Sequence, residues 1–244
     1  MQSTVRPCLA AALALGLCAC AGPGAPPPPP ATTLNISDDN VFQPMLRGAV
    51  NFPESRDAPS DPHTGHAVEF GFTRGSGGSS QTLASNYVYF GGTQFNAPTT
   101  LTTDFTLTYL DMAYRFRAVD RDTGLGFEVL TGIAFADLDL RVSSPSRQAS
   151  ETLSSPGLQL GLGAMWRLRP GTSVQLRGSW FGSTDKTEVT QASRYDLSLV
   201  QALGRNAALR AGYSWWSLES ERGDTVSPIS VEFRGPVLGL EVMF

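Results

Sequence analysis

From about His66 to the end of the chain, apolar side chains recur at every second position and the charged ones take the positions between. The stretch GLQLGLGAMWRLRPGT is the clearest case. Leu158, Leu160, Leu162, Ala164, Trp166 and Leu168 share one parity, and Gln159, Gly161, Gly163, Met165 and Arg167 the other. A helix turns by about 100° per residue and would mix the two sets; an extended strand keeps them on opposite faces.

The same sorting runs through HAVEFGFTR, YLDMAYRF, GFEVLTGIAF, SVQLRGSWF, RYDLSLVQAL, AALRAGYSWW and the closing GPVLGLEVMF. It predicts eight strands at about 66–75, 101–118, 124–142, 156–168, 172–184, 190–203, 206–219 and 230–244. Long, irregular connections at 76–100, 143–155, 185–189 and 220–229 alternate with tight turns at VDRDTG, RPGT and GRN. MLRGAVNFP alternates as well, and with NYVYF it would raise the count to ten.

The parity without the large apolar residues collects Asp111, Arg115, Glu128, Arg167, Arg177, Asp196, Arg210 and Glu241, together with Glu69. The other parity carries essentially no charge. An apolar exterior around a charged interior is what hydrocarbon demands, since a cation near the bilayer midplane costs about 2–4 kcal/mol. The predicted fold is therefore all-β, a closed antiparallel transmembrane β-barrel in which the last strand pairs with the first and leaves no edge. An even count places both chain ends on the short-turn side.

Within that frame, Arg115 is expected across from Glu128 and Arg210 across from Glu241, as cross-strand ion pairs. Met165, Phe181 and Trp216 also point inward, and eight strands enclose a space that side chains fill. A plugged lumen is expected, with a narrow ion or proton path as the rival reading. Outward aromatics form two levels, Phe116, Phe127, Trp166 and Phe244 near the short turns and Phe72, Phe135, Trp180, Tyr195 and Trp215 toward the long connections, as membrane girdles do. In the longest connection, Tyr87, Tyr89 and Phe90 are candidate surface-binding aromatics; packing on the hairpin wall is the other possibility.

The architecture resembles the small outer-membrane β-barrel proteins of the OmpA/OmpX type, over roughly 66–244. Leu240, Val242 and Phe244 resemble the C-terminal assembly signal of such barrels, which implies the barrel-assembly machinery as a partner during biogenesis. The resemblance implies residence in the outer membrane of a Gram-negative cell, with lipid and lipopolysaccharide as surroundings. A monomer is expected.

The N-terminus reads as a secretion signal over 1–19, with Arg6 before the apolar CLAAALALGLCACA. Its end, LCAC, resembles a lipoprotein processing site, which would make Cys20 the lipidated first residue and leave the N-terminus periplasmic; ordinary cleavage after Ala21 is the alternative. All three cysteines lie in this leader region, so no disulfide framework is available beyond Cys20. Residues 20–65, in which AGPGAPPPPPATT follows Cys20, are expected to be a proline-rich linker and periplasmic lead-in.

Other chemistry is sparse. Charged residues make up 16% of the chain, below the quarter or so usual for soluble domains, and the net charge of -4 offers no footprint for nucleic acid. The histidines, His63 and His66, sit together in DPHTGH just before the first strand, with no serine at a matching depth and no third metal ligand nearby. RGSGGSS lacks the lysine and helix of a phosphate loop. Asp137 and Asp139 read as a solvated strand extension ahead of a cation site. No enzyme activity, cofactor or metal is expected, and an esterase-like lipid-modifying enzyme is the third reading.

Overall fold

The computed structural model describes residues 31–52, 65–183, 191–204, 206–220 and 226–243. The leader, Cys20, His63 and Phe244 lie outside them. The described chain is all-β: β1 (Leu34–Asp38), β2 (Gln43–Asn51), β3 (Gly65–Leu83), β4 (Tyr87–Phe90), β5 (Thr93–Asn96), β6 (Thr99–Val119), β7 (Leu125–Ser143), β8 (Gln148–Arg169), β9 (Thr172–Gly182), β10 (Gln191–Ala202), β11 (Ala207–Ser220) and β12 (Ile229–Met243).

Hydrogen bonds run from β2 through β3, β6, β7, β8, β9, β10, β11 and β12 and return to β2, a closed ring of nine strands. This corrects the count of eight, and of ten. MLRGAVNFP joins the ring as β2, whereas NYVYF contributes β4, which pairs only with β5. A ring of odd number cannot be antiparallel throughout, and here the parallel pairing falls between β2 and β12, with Leu240 beside Leu46 and Glu241 beside Arg47. β1 continues the same parallel edge higher up, with Leu34 beside Ile229 and Asp38 beside Phe233. β1 and β2, which lie within the expected lead-in of residues 20–65, thus pair into the sheet. The argument that placed both ends together fails too: the described chain enters at the end of the long connections and leaves at the end of the short turns.

Where the chain passes from β1 to β2, Val41 N–H donates to Arg234 C=O (3.0 Å) and the backbone crowds Gly235. A Cβ on Gly235 would lie 2.0 Å from the Val41 carbonyl oxygen, so only glycine fits. Higher up, side chains bridge β1 to β3: Asn35 N–H donates to Gln81 Oε1 (3.0 Å) and Gly78 N–H to Asp38 Oδ2 (2.9 Å).

β3 and β8 are longer than the alternation predicts, running on to Leu83 and starting at Gln148. The extra lengths project beyond the apolar band, so their outward residues (Arg74, Ser76, Ser80; Ser150, Thr152, Ser154) are polar and the apolar code vanishes. The facing changes sides instead. Toward the long connections the interior is apolar, built from Leu101, Phe105, Leu107, Leu138, Leu153, Val231 and Phe233. Toward the short turns the interior is charged, and the exterior is Leu46, Phe70, Leu110, Ile133, Leu160, Leu197 and Leu240, each between 41 and 61% exposed.

The β4–β5 hairpin closes the apolar end. Val88, Phe90 and Phe95 are buried in the core, Thr32 N–H donates to Tyr87 C=O (2.9 Å) and Tyr89 N–H to Ser227 Oγ (2.9 Å). Phe90, expected as a surface-binding aromatic, is thus a core residue, and Tyr87 and Tyr89 are half-buried. Four-residue strands carrying alternate apolar residues can satisfy their inner face only by lying on another core.

Gly235→Ala is expected to lower stability by about 1–3 kcal/mol through overpacking. Gly48→Ala, whose Cβ would meet nothing within 4 Å, should stay within about 0.5 kcal/mol of wild type. Denaturant unfolding midpoints of the two variants check both.

Candidate functional site: the ion-paired interior

Below the apolar core, six arginines (Arg47, Arg115, Arg117, Arg177, Arg194 and Arg210) and four carboxylates (Glu69, Glu128, Asp196 and Glu241) are buried inside the ring. Each stands there because its strand must present an apolar residue outward at the next position, which leaves every second side chain no choice but the interior.

Glu69 on β3 has no exposure, accepts hydrogen bonds from Arg115 Nη1 (3.0 Å) and Arg177 Nη1 (2.5 Å), and forms an ion pair with Arg47, whose Nε lies 3.1 Å away. Arg177 comes from β9, on the opposite wall, and its Nε also donates to Glu128 Oε1 on β7 (2.6 Å). One guanidinium therefore ties three strands together across the lumen. Arg117 completes Glu128 from the neighbouring strand (2.7 Å). Arg210 on β11 donates to Glu241 Oε2 (3.0 Å), Ser198 Oγ (2.6 Å) and Gln175 Oε1 (2.8 Å).

At the boundary with the apolar core, Arg194 donates to Asp196 Oδ1 (2.8 Å) and to Thr73 Oγ1 (2.9 Å) across the ring, and its guanidinium lies 4.8 Å from the Trp216 ring centroid. Trp216 donates to Gln43 Oε1 (2.8 Å), Tyr109 donates to Gln159 Oε1 (3.0 Å), and the Tyr109 ring meets those of Trp216 and Phe181 edge-on. These amphipathic rings join the two halves, the polar tip of each reaching a partner.

Of the interior residues read from sequence, Glu128, Arg115, Arg177, Asp196, Arg210 and Glu241 enter this network. Asp111 also points inward, half-buried and leaning over Gly71, but joins none of these pairs. Arg167 is half-buried at the lower mouth.

The pairings differ from expectation in two places. Glu128 stands across from Arg117, and Arg115 across from Leu130. The turn decides this: Asp120 Oδ1 accepts from the Asp122 and Thr123 amides, and Gly124, at φ 70°, ends the loop, setting the register two residues from a hairpin centred in DRDT. Arg210 and Glu241 do pair, but diagonally, since Arg210 is across from Gly239.

The outward aromatics Phe127, Trp166, Trp180, Tyr195 and Trp215 are exposed, and Phe116 is half-buried. Register puts Phe116, Phe127 and Trp166 beside the short turns and Trp180, Tyr195 and Trp215 near the top of the apolar band. Trp180 and Tyr195 meet edge-on at 6.0 Å. His66 also faces outward at the lower rim, bonded to Tyr114 and 5.1 Å from the Phe116 ring centroid. Asp137 and Asp139 accept from Ser154 and Thr152 across the strand, and no group of metal-ligating side chains forms among the described residues.

Chemically, this interior cross-links. Each of its four buried carboxylates meets an arginine, and the space at the lower mouth, between Arg117, Arg167, Gln175 and Glu241, amounts to about 30 Å³, the share of a single water. No family model matches the chain, nor does any curated protein or solved structure.

Glu69→Ala would remove the one carboxylate paired with buried Arg47 among the described residues and a partner each of Arg115 and Arg177, and is expected to cost about 3–5 kcal/mol, the range for breaking one side of a buried pair. A double-mutant cycle with Arg177→Met, read by denaturant unfolding, should return a favourable coupling between the two sites.

Proposed function

We propose that this chain is an integral outer-membrane β-barrel with a plugged lumen, whose role is structural or carried by the surface it presents beyond the membrane. The observation that carries the reading is the outward face of the lower half. From Pro44 to Val50 on β2, Val68 to Phe72 on β3, Leu110 to Ala118 on β6, Leu125 to Phe135 on β7, Leu158 to Leu168 on β8 and Leu238 to Val242 on β12, the outward positions hold no charge. In water such a surface would be an aggregation site; in hydrocarbon it is solvated. The buried charges sit where a bilayer tolerates them, paired and inside.

The short turns then lie in the periplasm and the long connections outside. The apolar upper half stands above the membrane as a water-exposed, capped extension. Lipid and lipopolysaccharide surround the band, the assembly machinery reads the closing strand, and one chain closes its own ring, which makes a monomer the natural unit. The filled lower mouth argues for a plug over a channel, and the outward His66 gives no support to a lipid-modifying enzyme.

In an outer-membrane fraction, the unboiled protein is expected to migrate differently from the boiled protein on a detergent gel, as a closed barrel does. Leu160→Arg on the outward face should cost about 2–4 kcal/mol in vesicle refolding. Co-migration with and without boiling, and free solubility without detergent, would refute the reading. Conductance steps in planar bilayers would favour a narrow channel over a plug.

A further inference from the structure

We infer that a trough on the outward wall, at the top of the apolar band, binds an uncharged saccharide presented from the solvent side. The site deepens the reading above and rests on it for the side of the membrane it faces.

Register builds the trough. Ser193 on β10 stands across from Trp180 on β9 and from Ser217 on β11, and Ser217 stands across from Glu232 on β12. One row lower, nearer the apolar band, Tyr195 stands across from Trp215, and Trp215 across from Arg234. Two short side chains among larger ones leave a hollow on each side. One, of about 480 Å³, opens toward Trp215 and Glu232; the other, of about 290 Å³, opens toward Trp180, Gln191 and Glu219. Ser193 and Ser217 line both, so the two run together, and the larger alone falls within the roughly 300–1,000 Å³ usual for small-molecule sites.

The walls suit a pyranose ring, which offers an apolar C–H face and a rim of hydroxyls. Trp180, Tyr195 and Trp215 are 43, 44 and 37% exposed, and their rings supply apolar surface for the C–H face. Polar groups meet the rim. Gln191 donates to Glu219, and Arg234 Nη2 to Asp39 Oδ2 (2.8 Å), so these planar groups are held in place while keeping further donors and acceptors. Among the described residues, Glu232 and the hydroxyls of Ser193 and Ser217 bond no other side chain, and all three line the trough.

Charge selects the ligand class. Asp39, Glu219 and Glu232 line these walls against a single cation, Arg234, which Asp39 already pairs. A phosphate or carboxylate ligand meets like charge there, whereas an uncharged sugar does not. A membrane girdle by itself asks only for rings at the interface; it does not call for a serine-floored hollow with carboxylates beside them.

The test passes the full chain, refolded in a sugar-free detergent, over a printed array of neutral and acidic oligosaccharides. Neutral members should retain it and acidic ones should not, and the best neutral member, free in solution, should give saturable heat by calorimetry. Ser217→Leu, which fills the floor, and Trp215→Ala, which removes a wall, should each weaken that binding about tenfold or more with circular dichroism unchanged. Glu232→Gln, which keeps the hydrogen bonding, should stay within about threefold of wild type, and Trp166→Ala, beside the short turns, should change nothing. No retention by any neutral member, retention by acidic members in their place, or binding that survives Ser217→Leu would overturn the site. A silent array beside an intact boiling-dependent gel shift would strike the saccharide site alone. Retention of a chain that dissolves freely without detergent would strike the membrane reading and leave the trough standing.

Discussion

Glu69 is the residue on which the lower half of the ring turns. A carboxylate with no access to solvent is tolerable only if its lone pairs are filled by charged donors, and three guanidinium groups converge on it. Because Arg47, Arg115 and Arg177 come from β2, β6 and β9, one carboxylate fixes the spacing of two adjacent strands and of the wall opposite. Arginine suits the task better than lysine, since its planar fork can serve two carboxylates at once, as Arg177 does with Glu69 and Glu128.

Above this network the same strands obey the opposite rule. On β6, Leu110, Met112 and Tyr114 face out from a lower segment whose inner face holds Arg115 and Arg117, whereas higher up Leu101, Phe105 and Leu107 face in and Thr102, Asp104 and Thr106 face out. The alternation never loses step; only the meaning of each face changes. Tyr109 and Trp216 sit at the change, each with an apolar body and a bonded polar tip. The 21 residues of β6 thus line two kinds of interior, a charged one below and an apolar one above.

Much of this was legible in the sequence, for a physical reason. A strand that keeps its charges on one face and its large apolar side chains on the other is imprinted with period two, so the eight segments with that imprint all appear as strands near the expected positions. Where the outward residues turn polar the imprint fades, which is why the upper parts of β3 and β8 read as loops. Arg47 lies inside MLRGAVNFP, whereas Arg117 and Arg194 stand at the margins of YLDMAYRF and RYDLSLVQAL, where parity extended by one residue, or carried to the first one, finds them. β2 is short, carries Pro44 and has a ladder partner far away in sequence, so no local signal specifies its pairing. Register was the weakest inference, because Gly124 and the Asp120 turn, not the charges, decide which arginine meets Glu128.

The parallel edge has a kinetic consequence. Leu34 must find Ile229, and Gln43 must find Val237, so the ring is joined by residues separated by nearly the whole chain. Pairings of such separation come late, since their loop-closure entropy is repaid only after the intervening hairpins exist. Until β12 has been synthesised, every partial sheet keeps two unpaired margins, and no truncated product can imitate the finished one. Closure thus acts as a proofreading step on completeness: only a full-length chain can stop being sticky.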